Sequence, residues 1–178
     1  MNIRKMTVCS LCIALACILS MIKLYQFPFG GSVTLLSMLV ITLPAWIYGP
    51  NTGILSGLLY GMLQFVLGPT VISIPQVLLD YVLAFSVMGI AGFVSNRKNS
   101  LVKGYALAVI GRWIIATLAG LAWVAAGTTI WEGWNPLPYS MVYNGAYIGA
   151  EAVLTLVVIS MPPMKKALEH VKNSAINN

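Results

Sequence analysis

An all-α integral membrane protein of six helices, forming a single domain over residues 1–178, is the class this sequence predicts. The chain is 59% hydrophobic and only 8% charged, where a water-soluble domain carries about a quarter of its residues as charges. Its mean hydropathy is +0.88, so polar groups cannot cover a water-facing surface and the solvent must be lipid. The apolar residues also fall into six blocks, each near the roughly 20 residues that a spanning helix needs.

The first block covers residues 6–24. Cys9, Cys12 and Cys17 all fall inside it. Cys9 and Cys12 form a CxxC without a second pair or a nearby histidine, so all three read as small packing residues rather than metal or redox groups. No small-residue cleavage site follows residues 7–21, and further spans do, so this block is expected to be a retained helix and not a removed signal peptide. A loop, YQFPFGG, comes next. The second helix is expected over residues 32–48, interrupted by Pro44 and stopped by Gly49-Pro50-Asn51. Thr52 can cap the third, which reaches residue 67 and ends at Gly68-Pro69. Gly53, Gly57 and Gly61 form a small-xxx-small series there, which predicts tight packing inside the bundle. The fourth helix starts near Pro75, a favoured first helical position, and runs to residue 94. The fifth covers residues 102–126, and the sixth begins after Pro136 and Pro138 and ends near Pro162-Pro163.

The net charge is +6, but no basic stripe with interleaved aromatics is present, so a nucleic-acid partner is not expected. The cations flank the apolar blocks instead. Arg4 and Lys5 precede the first helix. Arg97, Lys98 and Lys103 separate the fourth from the fifth, and Lys165, Lys166 and Lys172 follow the sixth. Lys23 alone lies near a loop on the other side. The positive-inside rule then puts both termini in the cytoplasm. The outer loops become residues 25–31, 68–74 and 127–138, where Phe27, Phe29, Trp131 and Trp134 suit either an interfacial belt or a lid.

Against this background Asp80, in QVLLDYVLAF, stands out. It lies about 7–8 Å below the outer end of the fourth helix, where a carboxylate facing lipid would cost roughly 2.5–3.5 kcal/mol. It is therefore expected to face the bundle interior or a watery cavity, with Gln76 one turn above on the same face. The alternatives are an internal salt bridge or a helix-start charge favoured by the dipole. Arg112 and Glu151 come to similar depth on neighbouring helices, which predicts that they pair with each other and leave Asp80 without a protein cation. A second polar group opens the sixth helix: Tyr139, Ser140, Tyr143, Asn144 and Tyr147. Asn144 shares an ideal helical face with Ser140, Tyr147 and Glu151, whereas Tyr139 is about 140° away. Both can line one pocket only if the start of that helix is irregular. Interhelical hydrogen bonding is the other use of such residues.

A carboxylate with aromatic faces suits a flat cationic ring, and an amide with phenols suits a heteroaromatic edge. Catalysis lacks parts: the only histidine, His170, lies in the C-terminal tail, and no intramembrane carboxylate pair, metal-ligand spacing or nucleotide-binding glycine loop is present. No enzyme activity, cofactor or metal is expected.

The runs GGSVTLLSM, GILSGLLYGMLQFVLG, PQVLLDYVLAF and NPLPYSMVYNGAY, taken in order, resemble the thiamine-specific S component family of energy-coupling factor transporters, with LLDY and YSxxYNG the most specific parts. The resemblance implies a bacterial plasma-membrane protein that binds thiamine with high affinity near the outer side. It also implies docking onto a transmembrane coupling subunit with two cytoplasmic ATPases. Carried over by motif, it assigns the acid contact to Asp80 with Tyr81 beside it, and the aminopyrimidine contacts to Tyr139 and Asn144. The stacking aromatic maps to Trp123, with Trp131 or Trp134 as substitutes. An alanine-rich stripe on the first helix, here around Cys12 and Ala16, would face the coupling subunit, with internal packing as the alternative. Two departures stand out. Ala116 or Leu118 falls where family members carry a histidine, and Asp80 is one methylene shorter than a glutamate. These leave open a thiamine fragment or another flat heterocycle as cargo, beside a purely structural membrane protein.

Overall fold

The computed structural model describes residues 3–68, 70–95, 99–127, 129 and 133–177. Its helices are α1 (Ile3–Met21), α2 (Ser37–Tyr48), α3 (Pro50–Leu67), α4 (Ile74–Val94), α5 (Ser100–Ala125), α6 (Pro136–Ser160) and α7 (Pro162–Asn177). Strands β1 (Lys23–Gln26) and β2 (Ser32–Thr34) stand between α1 and α2. Among the described residues α1, α4, α5 and α6 are long and apolar enough to cross a membrane.

The second helix starts later than expected. Residues 32–34 pair antiparallel with β1, Gln26 opposite Ser32 and Tyr25 opposite Val33, with an irregularity before Lys23 meets Thr34. The β-branched Val33 and Thr34 favour this extended course, and Leu36 then adopts left-handed backbone angles (φ 60°) that turn the chain into α2. The expected loop of residues 25–31 is thus a hairpin, with a short 3-10 turn at Pro28–Gly30. From Ser37 to Ile47 every residue of α2 is buried. A helix that is apolar all round belongs in the middle, and α2 is packed by α1, α3, α4 and α5.

The glycines of α3 do what the spacing predicts. A methyl on Gly57 would overlap the Phe85 carbonyl, one on Gly61 the Tyr81 carbonyl, and one on Gly53 would strike Ala45 and Gly89. Gly89 and Gly92 of α4 give the same close approach in return, against Ile54 and Pro50. Backbone therefore lies on backbone along this seam. The helix itself begins at Pro50 rather than at a Thr52 cap. The Thr52 hydroxyl instead donates to the Tyr48 carbonyl at 3.4 Å.

Two further features depart from a plain six-helix pattern. α4 is not uniform: residues 78–83 form π-helical turns around Asp80 and Tyr81, and residues 87–94 tighten to 3-10 geometry. π turns widen a helix locally and recur at functional sites. At the other end of the chain, Pro162-Pro163 ends α6 but also opens α7, since proline suits the first helical position. Leu168 and Ala175 of α7 pack against the core, and the Tyr48 hydroxyl donates to the Ala175 carbonyl at 3.4 Å.

On α1, Ala16 is fully buried in the bundle core, with Cys12 and Cys17 packed partly against it. Ala16 therefore cannot be part of an outward docking stripe, because the small residue serves close packing with the interior. The outward face carries Leu11, Ala14, Leu15 and Ile18.

Candidate ligand-binding site

A cavity of about 320 Å³ opens between the hairpin, α3, α4, α5 and α6. Asp80, Tyr81, Trp123, Tyr139 and Asn144 all line it. Its volume is in the range of small-molecule pockets.

Asp80 is held by neutral donors. The Gln76 carboxamide, 1% exposed, donates to Asp80 Oδ2 at 2.7 Å. The Trp123 indole N–H donates to the same oxygen at 3.4 Å. Gln76 is itself locked: it also donates to the Thr70 carbonyl (3.3 Å) and accepts the Ile72 N–H (3.1 Å). Ser73 caps this first turn by accepting the Gln76 backbone N–H. Tyr81 ties the same loop down, its hydroxyl accepting the Thr70 N–H at 2.9 Å and its ring standing edge-on to Phe65. The π turns place both residues of the DY pair on the cavity, although an ideal helix separates neighbours by about 100°.

The α6 wall is built differently from the expectation. The helix is regular from Pro136, and Tyr139 and Asn144 nonetheless both face the cavity, because the cavity wraps round a wide arc of α6. Tyr139 stacks on Tyr143 (6.1 Å between centroids, 5° between planes), and Tyr143 meets Tyr147 edge-on. Asn144 is fixed at both ends of its amide. Nδ2 donates to the Ser140 carbonyl (2.9 Å) and hydroxyl (3.1 Å), and the Tyr147 hydroxyl donates to Oδ1 at 2.7 Å. Ser140 in turn donates to the Thr117 carbonyl of α5 at 2.7 Å.

The expected Arg112–Glu151 pair does not form. Both line the cavity, but Arg112 lies over the Phe85 ring, 4.4 Å from its centroid. Glu151 reaches the start of α2 instead. Oε2 accepts the Thr34 N–H (2.9 Å) and hydroxyl (2.7 Å), and Oε1 accepts the Met38 N–H (3.1 Å) and the Ser37 hydroxyl (3.3 Å). A helix beginning inside the bundle has orphaned N–H groups and a positive dipole end, and a carboxylate satisfies both. Such backbone is tolerated at membrane depth where it lines a cavity. Among the described residues neither Asp80 nor Glu151 forms an ion pair with an arginine or lysine. Among the described residues no three His, Cys, Asp or Glu gather as metal ligands would.

The hairpin covers this cavity. Phe29, Gly30 and Gly31 line it, and Tyr143 straps the turn by donating to the Pro28 carbonyl and accepting the Gly31 N–H at 3.0 Å. Phe27 adds edge contacts to Tyr143 and Tyr25. A side chain at residue 31 would collide with Tyr143 and Tyr147. The strapping role of Tyr143 was missed from sequence, although the four-residue spacing of Tyr139, Tyr143 and Tyr147 puts three phenols along one side of α6. Lys23 and Arg112 are cavity residues that the sequence did not single out as such. Trp134 is half-exposed. Trp131, like Arg97 and Lys98, lies outside the described residues.

Residues 6–170 match the family described as thiamine transporter protein. The thiamine transporter ThiT of Bacillus subtilis is 30% identical over 154 residues, covering 76% of this chain and 77% of the relative. ThiT of Lacticaseibacillus paracasei is 32% identical over 127 residues, 60% of each. A solved structure of ThiT from Listeria monocytogenes has the same fold, with a TM-score of 0.71 at 23% identity over 89% of this chain and 94% of that one.

Proposed function

The chain belongs to the thiamine transporter protein family, and from that premise we propose that it is the thiamine-binding S component of an energy-coupling factor importer. It is a multi-pass membrane protein. In this role it captures thiamine from outside and passes it on by docking to a transmembrane coupling subunit with two cytoplasmic ATPases. Six crossings with both termini inside agree with the distribution of charge. Arg4, Lys5, Lys103, Lys165, Lys166 and Lys172 lie together at one end, and the cavity with Lys23 lies at the other. The second crossing is short as a helix, and its extended residues 32–36 complete it alongside Glu151.

One observation carries this function. Asp80 presents a carboxylate to an aromatic-lined cavity with only neutral donors, Gln76 and Trp123, on its oxygen. Arg112 lines the same cavity but lies over the Phe85 ring without an ion pair to Asp80, so a half-buried anion so arranged favours a positive guest. Thiamine brings a thiazolium cation for Asp80, with Tyr81 beside it, and a flat ring for Trp123. Its aminopyrimidine has an edge for Tyr139 and Asn144. Ala116 and Gly120 also face the cavity and leave room beside the ligand, so a thiamine fragment or another flat heterocycle is the second reading. Titration of the tryptophan fluorescence separates them. Saturable quenching by thiamine at low concentration is expected. Quenching by the isolated pyrimidine or thiazole half but not by thiamine moves the assignment to a fragment, and no quenching by any of them removes it.

A further inference from the structure

A second cavity, about 570 Å³, lies at the opposite end of the bundle, where α2 and α6 end and α5 and α7 begin. The vitamin-binding function makes no use of it. Its wall is divided by chemistry. Leu101, Val102 and Ile159 are apolar, whereas Asn99, Ser100 and Lys165 are polar. Trp46 lines the cavity too, and its indole N–H donates to Ser100 Oγ at 2.8 Å. Lys172 lies over the other part of that ring, 4.6 Å from its centroid, and donates to the Ser95 carbonyl. Trp46 is therefore held at its N–H by Ser100 and at its ring face by Lys172.

We propose that this cavity is a binding site for the headgroup of an anionic phospholipid. Lys165 Nζ donates to Asn99 Oδ1 at 3.1 Å, and an ammonium has three donors, so two remain for phosphate oxygens. The first-turn N–H groups of α5, beginning at Ser100, are orphaned as at any helix start and lie on the same wall. Ser100 accepts from Trp46 and keeps its own O–H to donate. Glu169 occupies the rim one turn after Lys165. As an acceptor it suits hydroxyl groups on the headgroup and turns away a second phosphate. Lys166 follows Lys165 at the start of α7, and Lys103 lies in the first turn of α5, so the local field favours an anionic lipid over a zwitterionic one. A lipid fits better than a protein segment because polar and apolar side chains line the same cavity, as a headgroup with its attached acyl chains requires. The chain sits in a bilayer, and the basic residues at this end put the cavity near the level of the lipid headgroups.

Fluorescence quenching in reconstituted bilayers tests the site, because Trp46 reports on it. The Trp46 signal is the difference between wild type and Trp46→Phe. Phosphatidylglycerol brominated near the carbonyl end of one acyl chain is expected to quench this signal with about a five-fold preference over brominated phosphatidylcholine, the effect of roughly one basic contact. Lys165→Gln should abolish the preference and Lys165→Arg should keep it. Equal quenching by phosphatidylcholine or phosphatidylethanolamine overturns the proposal, as does a preference that survives Lys165→Gln. Loss of the preference on adding soluble glycerol phosphate would assign the cavity to free phosphate and overturn the lipid. If Lys165→Gln leaves quenching unchanged but weakens assembly with a coupling subunit, the surface is a protein-docking one and the proposal also falls.

Discussion

Asp80 and Glu151, one half-buried and one buried, show how differently two carboxylates inside the bundle can be used. Asp80 has two neutral donors on one oxygen and a cavity beside it. Glu151 has four donors shared between both oxygens and no need of a guest. Asp80→Asn is therefore expected to weaken thiamine binding roughly ten- to a hundredfold, since a hydrogen bond to a charged group is worth about 1.5–3 kcal/mol. The loss should exceed that of Asn144→Ala. Calorimetric titration checks both, and an unchanged affinity for Asp80→Asn would remove the charge assignment. For Glu151→Gln the effect is on the fold of the hairpin. One amide oxygen cannot accept for Thr34, Ser37 and Met38 together, and each buried donor left without a partner costs about 1–3 kcal/mol. The variant should melt at lower temperature, and trypsin should cut faster after Lys23 in the loosened hairpin. The inward placement of Asp80 could be read from sequence because a charge in an apolar run must face inward, and it does line the cavity. The partner of Glu151 could not be read. Matching depth with Arg112 pointed to a side-chain cation, but the donors are mainly backbone N–H and hydroxyl groups exposed only once α2 begins at Ser37.

At the scale of elements, the glycine series of α3 was legible and its consequence for the site was not. Three glycines four residues apart predict a close helix neighbour. They do not predict that the neighbour is the segment bearing Asp80, nor that this segment is widened into π turns. Gly61 lies against the Tyr81 carbonyl, and Gly57 against that of Phe85, so α3 sets the height at which the DY pair meets the cavity. A methyl at Gly61 must push α4 away. Gly61→Ala is expected to destabilise the protein by about 1–3 kcal/mol and to weaken ligand binding with it. Gly149→Ala is the control, because no heavy atom outside its own surroundings lies within 4 Å of the added methyl. Thermal melts of the two variants side by side, with and without thiamine, separate a packing effect from a general intolerance of substitution. The hairpin and α7 escaped sequence analysis for a related reason. A four-residue strand has little periodicity to detect, and α7 is amphipathic and polar enough to look like a tail until its Leu168–Ala175 face meets the core.

The whole molecule has two chemically different ends, and α1 joins them. The end with the aromatic-lined cavity is covered by a hairpin that continues directly from α1, while the basic end holds Lys5 over the Tyr48 ring. One face of α1 is packed against α2 and α3, and the other carries Leu11, Ala14, Leu15 and Ile18 outward. Small residues alone could not tell these faces apart: Ala14 and Ala16 are chemically identical, but Ala14 is exposed and Ala16 is fully buried. The distinction predicts opposite phenotypes. Ala16→Trp forces a large ring into a filled core, which should lower stability and ligand binding together. Ala14→Trp adds the same ring to the outward face, so the isolated protein should keep its melting temperature and its thiamine affinity. If α1 meets the coupling subunit by this face, uptake by whole cells should nevertheless fall sharply, because a bulky group prevents the close helix approach that small residues allow. Measuring purified-protein binding and cellular uptake for both variants decides the matter. Normal uptake with Ala14→Trp would place the coupling contact elsewhere, and normal binding with Ala16→Trp would contradict the packing of α1 itself.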